Sequence, residues 1–191
     1  MSTVSIFGTG NMGSAIASVV ERGGNVVECF GENDAAKPVT GEIVVLAVPY
    51  HALTSIAAER AEQFAGRIVV DITNPVNFET FDSLTVPTDS SAAAELAAAL
   101  PNSRVLKAFN TTFAATLATG KIGDLTTTVQ IAGDDADAKA ALSEVVTAGG
   151  LNVIDAGSLK RARELEAFGF LQISLAAAEK IAWTGGFAVQ A

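Results

Sequence analysis

The feature that most limits what this chain can fold into begins at its third residue. "TVSIFGTGNMGSA" carries a β-branched strand candidate, Val4–Phe7, straight into G-x-G-x-x-G at Gly8, Gly10 and Gly13, and on into a helix candidate at Asn11–Arg22. Each glycine of such a turn has its own task. The first permits the tight turn, the second lets backbone approach a pyrophosphate, and the third packs helix against strand. The amides of Thr9–Met12 then point at the phosphates, helped by the positive end of the helix. A lone match is weak, but here a strand precedes it and a helix follows.

The rest of the chain repeats that rhythm. Strands are predicted at Asn25–Phe30, Ile43–Val48, Arg67–Ile72, Arg104–Ala108, Thr127–Ala132 and Asn152–Asp155, and helices at Tyr50–Phe64, Ser90–Leu100 and Ala136–Ala148. "IVVLAV" and "RIVVDI" are nearly continuous apolar runs, as expected of strands covered on both faces. The prediction is an α/β, doubly wound, mostly parallel sheet with its strand C-termini on one edge, where a ligand sits. About a dozen residues, Pro38 and Gly41 among them, separate the second strand from "IVVLAV", so the usual crossover helix there is missing or very short. Ser158–Trp183 reads as a long last helix with Leu165, Phe168, Leu171, Leu175 and Ala178 on a broad apolar face, suited to a dimer contact.

Composition narrows the function. The 191 residues suit one domain, 1–191, with a core of its own, and leave no room for a second, substrate-binding one. A net charge of −9 argues against nucleic acid. Cys29 and His51 are the sole cysteine and histidine, so no zinc ligand set or internal disulfide is expected, and a reducing cytoplasmic setting fits. No signal peptide and no membrane span is predicted.

"AVPY" at Ala47–Tyr50 and "DITNP" at Asp71–Pro75 fall where strands end, and proline turns the chain there across the ligand edge. Thr73 and Asn74 offer a hydroxyl and an amide to ribose or carboxamide groups. "LKAFNTTFA" brings Asn110, Thr111 and Thr112 to the same crevice. Lys107 reads equally as a surface lysine or a site lysine, and His51 as a proton donor or a wall residue. There is no Ser-His-Asp set, no His–carboxylate pair and no G-K-[ST] loop, and no catalytic side chain is assigned. Hydride transfer between two redox-ready rings needs none, because the protein has only to hold the rings face to face and exclude water.

Together "GTGNMGSA", "AVPY", "ITNP", "KAFNTT", "AGDD" and "DAGSLKRARELE" resemble the NADP oxidoreductase, coenzyme F420-dependent family, over nearly the whole chain and in motif order. The pattern is also similar to the cytosolic domain of the six-transmembrane metalloreductases. The resemblance implies a Rossmann-like domain, NADP(H) as cofactor with NAD possible, and hydride exchange with a deazaflavin or flavin by a homodimer. Its cofactor contacts fall on Thr9, Gly10, Asn11, Met12, Val48, Pro49, Asn74 and Ala108–Asn110. The family's 2′-phosphate site is a Ser-Arg pair, where this chain has Gly31-Glu32. With Lys37 reaching back to the phosphate, the expectation is a preference for NADP(H) of less than about 2 kcal/mol, below one good charge-assisted contact. A free flavin, a quinone and a ferric chelate would also suit as acceptors. The rival expectation is a non-catalytic dinucleotide sensor acting through a partner protein.

Overall fold

The structure is a computed structural model and describes residues 1–190. Strand β1 (Thr3–Phe7) lies between β2 (Val26–Phe30) and β3 (Ile43–Leu46), parallel to both, and β4 (Ile68–Asp71) and β5 (Arg104–Lys107) extend the parallel set beyond β3. A short hairpin, β6 (Lys121–Ile122) with β7 (Leu125–Thr126), stands apart, and β8 (Thr128–Gly133) and β9 (Asn152–Gly157) complete the main sheet in the order β2-β1-β3-β4-β5-β8-β9.

Alternate residues of the central strands feed two core layers. Ile43, Val45, Ile68 and Val70 pack with α1 (Asn11–Arg22), α4 (Ala114–Thr119) and α5 (Ala136–Ala148). Val44, Leu46 and Val69 pack on the other face with α2 (Leu53–Phe64) and α3 (Ala92–Ala99). Burial on both faces is why these strands read as unbroken apolar runs rather than alternating ones.

Three expectations change. β8 runs antiparallel to β5, and β9 follows β8, so the ends of these two strands leave the common edge. The helix between β5 and β8 has six residues, a rise of about 9 Å, too short to carry the chain back across the sheet. That helix and the β6–β7 hairpin went unpredicted. Secondly, the last helix, α6, spans only Ala162–Ala177 after a 3₁₀ turn at Leu159–Arg161, and Glu179 beyond it is left-handed at φ 56°. Its buried face is Ala162, Leu165, Glu166, Gly169, Gln172 and Ala176, while Leu171 is 50% exposed. Thirdly, Lys107 is fully buried.

The missing crossover helix is borne out: residues 31–42 contain no helix. Several of their backbone carbonyls are satisfied from outside. Arg60 of α2 donates to Asp34 O at 2.7 Å and Lys37 O at 2.8 Å, and Arg67 donates to Val39 O at 2.9 Å and to Gly41 O. Two arginines thereby do for this loop what a helix would do for itself.

Candidate functional site

The glycine turn shows three separate local requirements. Gly8 has φ 106°, and a β-carbon there would lie 2.1 Å from Ala47 O. At Gly13 it would lie 2.0 Å from Gly8 O, so the absent side chain lets α1 meet the strand end. At Gly10 a β-carbon would meet nothing within 4 Å. No side chain caps α1, whose first amides have no partner within the helix. The result is an open space with free donors facing it, suited to an anion.

The ends of β4 and β5 are joined beneath α6 by a buried polar cluster. Lys107 Nζ donates to Asp71 Oδ2 and Glu166 Oε1, each at 2.8 Å, and to Thr73 O at 2.6 Å. Glu166 also accepts from the Ala92 and Ala93 amides and so caps α3. Burial lifts the Glu166 carboxyl above its ordinary range, against the pull of Lys107. One ammonium between two carboxylates leaves a net negative charge in a dry place, which favours keeping a proton. Nothing in the sequence distinguished this lysine, because its partner Glu166 lies far along the chain.

Above the cluster, Asn74 and Asn110 bond reciprocally. Asn110 Nδ2 donates to Asn74 Oδ1 at 2.9 Å and to Leu165 O at 2.8 Å, and Asn74 Nδ2 donates to Asn110 O at 2.8 Å. Gly169 lets α6 come this close, since a β-carbon there would lie 2.3 Å from Asn74 Oδ1. Asn110 Oδ1 is buried with no hydrogen-bond partner among the described residues, as is Thr73 Oγ1. Phe109, immediately before, is held in a left-handed conformation at φ 63°. For a side chain of this kind that costs roughly 1–2 kcal/mol, and such strain collects at functional edges.

Two cavities flank the turn. One, of about 840 Å³, is lined by Gly8, Thr9, Gly10, Gly31, Glu32, Val48, Pro49 and His51 among others. The other, of about 720 Å³, takes Asn11, Met12, Asn74, Asn110 and Thr112, with walls of Phe78, Phe113, Ile173 and Trp183. Among its lining residues none carries a charge. The fold thus brings most of the sequence-predicted residues to the two hollows. Others stay out. Tyr50 donates to Glu95 Oε2 at 2.6 Å, and burial together with that carboxylate pushes its phenol up to about 12. Gly13, Thr73, Pro75 and Ala108 frame the edge without lining either cavity.

Lys37 does not line the first cavity. Its ammonium donates to Cys29 O at 2.9 Å and lies 4.4 Å from the centre of the Phe30 ring. Arg60, which the sequence reading passed over, does line it. No helix among the described residues is long and apolar enough to cross a membrane, and no cluster of potential metal ligands occurs among them.

Residues 27–75 match the family described as NADP oxidoreductase, coenzyme F420-dependent. The metalloreductase STEAP3 of Rattus norvegicus is 36% identical over 138 residues, 72% of this chain but 26% of that protein, so the chain spans about a quarter of it. The F420-dependent NADP reductase of Methanocaldococcus jannaschii is 32% identical over 160 residues, 80% of this chain and 69% of that one. A solved structure from Arthrobacter sp. FB24, of a proposed F420-dependent NADP reductase, superposes with a TM-score of 0.85 over 100% of both chains. At 24% identity that likeness concerns the fold alone. On the archaeal relative and the matched family region, the chain belongs to the NADP oxidoreductase, coenzyme F420-dependent family, a family of NAD(P)-dependent oxidoreductases.

Proposed function

We propose that this chain binds a nicotinamide dinucleotide across the glycine turn and exchanges a hydride with a planar acceptor of the deazaflavin or flavin type. The observation that carries this is the pair of cavities on either side of Gly10 and Asn11, the second lined by Met12, Asn74 and Asn110 beside uncharged aromatic walls. The residues present fit a dinucleotide. The free amides at the head of α1 and the space over Gly10 hold the pyrophosphate. Val48, Pro49, Gly31 and Glu32 line the adenosine end. Asn74 and Asn110 line the nicotinamide end, each fixing the other's orientation, and their amide groups suit the carboxamide. A bound nicotinamide supplies two electrons and a proton as hydride. Met12, Ile72 and Phe113 keep water from that place, and Phe78 and Trp183 offer faces on which a flat ring stacks.

The side of α6 carrying exposed Leu171 and half-buried Phe168 and Leu175 is proposed to pair two copies of the chain, since the face it turns inward is mostly small or polar. The test of the redox reading is anaerobic oxidation of NADPH and NADH by the purified protein with riboflavin, FMN or a deazaflavin. Turnover that depends on the acceptor and disappears in Gly10→Val with unchanged melting supports it. Tight dinucleotide binding without turnover by any ring acceptor would overturn it.

A further inference from the structure

We infer that the cavity at the end of β2 selects a dinucleotide with a free ribose diol, NAD(H), over the 2′-phosphorylated form. This rests on the dinucleotide reading above and concerns the order of affinities.

A 2′-phosphate brings close to two negative charges and only acceptor oxygens, so its pocket has to provide donors, preferably cationic ones. A ribose diol brings hydroxyl donors, and a carboxylate satisfies them. The question is which donors and acceptors this turn leaves open. The cationic donors and the Gly31 amide are committed. Gly31 N donates to Asp34 Oδ2 at 2.7 Å. Lys37 Nζ is held by Cys29 O and the Phe30 ring, outside the lining of the cavity. Arg60 is the cavity's one Arg or Lys, yet it is 6% exposed and bonded to Asp34 O, Lys37 O and Gln63 Oε1. Swinging it to a phosphate would break both bonds to the loop that replaces the crossover helix and leave the Lys37 carbonyl unpaired, which is costly.

What remains open is acceptor-rich. Glu32, Asp34 and Glu59 all line the cavity, and Glu32 is exposed with no hydrogen bond to another described residue. Asn33 adds a neutral amide, which suits either form. Three carboxylates against one committed guanidinium make the place repulsive to a dianion and receptive to hydroxyls.

The test is calorimetric titration of NADH and NADPH into the purified chain at pH 8, at low and high salt. The expected result is a Kd for NADH at least about tenfold below that for NADPH, with the gap narrowing in salt. Glu32→Gln should tighten NADPH with little change in melting, and Glu32→Arg should reverse the order. NADPH binding as tightly as NADH, or more tightly, in the unmodified chain would overturn the selection while leaving the dinucleotide site in place. Failure of both to bind would instead overturn the dinucleotide reading itself.

Discussion

Gly10 and Gly13 stand three positions apart, and a β-carbon means opposite things at the two. At Gly10 it enters open space, at φ −74° and with no strain. Gly10→Val should therefore melt like the unmodified protein yet fail to bind a dinucleotide in a calorimetric titration, because the branched side chain fills the place of the pyrophosphate. Wild-type affinity in that variant would remove the turn from the site. At Gly13 the same atom would collide with the Gly8 carbonyl. Gly13→Ala should lower stability by about 1–3 kcal/mol in denaturant unfolding, as overpacking does. His51 supplies a second contrast. It lines the cavity of Gly31 and Glu32 rather than that of Asn110, so it is not placed to deliver a proton to an acceptor ring there. His51→Ala should keep substantial turnover. A loss beyond about a thousandfold at unchanged cofactor affinity would identify a general acid, a role that contributes ~10²–10⁴-fold.

Among the elements, α6 is the one whose role changed most on folding. A helix with leucines and phenylalanines at helical spacing normally lays them on the sheet. Here its inward face carries Glu166, Gly169 and Gln172, because it crosses the polar ends of β4 and β5 rather than a strand face. The Glu166 carboxyl is lifted by burial, with Lys107 opposing. The folded state thus holds this proton more tightly than the unfolded chain. The stabilising contribution is complete below the unfolded value of about 4.3 and is lost as pH rises through the higher folded one. Glu166→Gln has no such titration, so the variant's Tm minus that of the unmodified protein should climb with pH across that window and then level off. A difference that falls over the same range would mean the carboxyl is lowered, with Lys107 outweighing burial.

At the scale of the whole molecule, the largely small and polar face turned inward leaves Leu171 exposed and Phe168 and Leu175 half-buried, Phe168 lying against the Phe187 ring. Phe168, Leu171 and Leu175 lie three and seven positions apart on one side of the helix, and Leu171 is 50% exposed. Light scattering should give a dimer for the unmodified chain. The double variant Leu171→Glu, Leu175→Glu should give a monomer or an aggregate. A dimer that survives both charges would confine α6 to covering the sheet edge.

The sequence by itself determined the elements whose causes are local. The glycine turn, the two-sided apolar strands, the Asn11–Arg22 and Ala136–Ala148 helices and the absent crossover helix were all legible, because each follows from a short run of residue types. The residues at strand ends were legible for the same reason, since proline and asparagine mark where a strand stops. Only the tertiary structure decided what depends on distant partners. Lys107 could not be read because Glu166, which neutralises it, is supplied by another element. Lys37 looked free to grip a phosphate until the fold placed the Cys29 carbonyl and the Phe30 ring beside it. Arg60 gave no signal, because the carbonyls it serves belong to a loop more than twenty residues earlier in the chain. A hydrophobic pattern states that a face is to be buried, but whether strands, a polar edge or a second chain buries it is set by the packing of the whole.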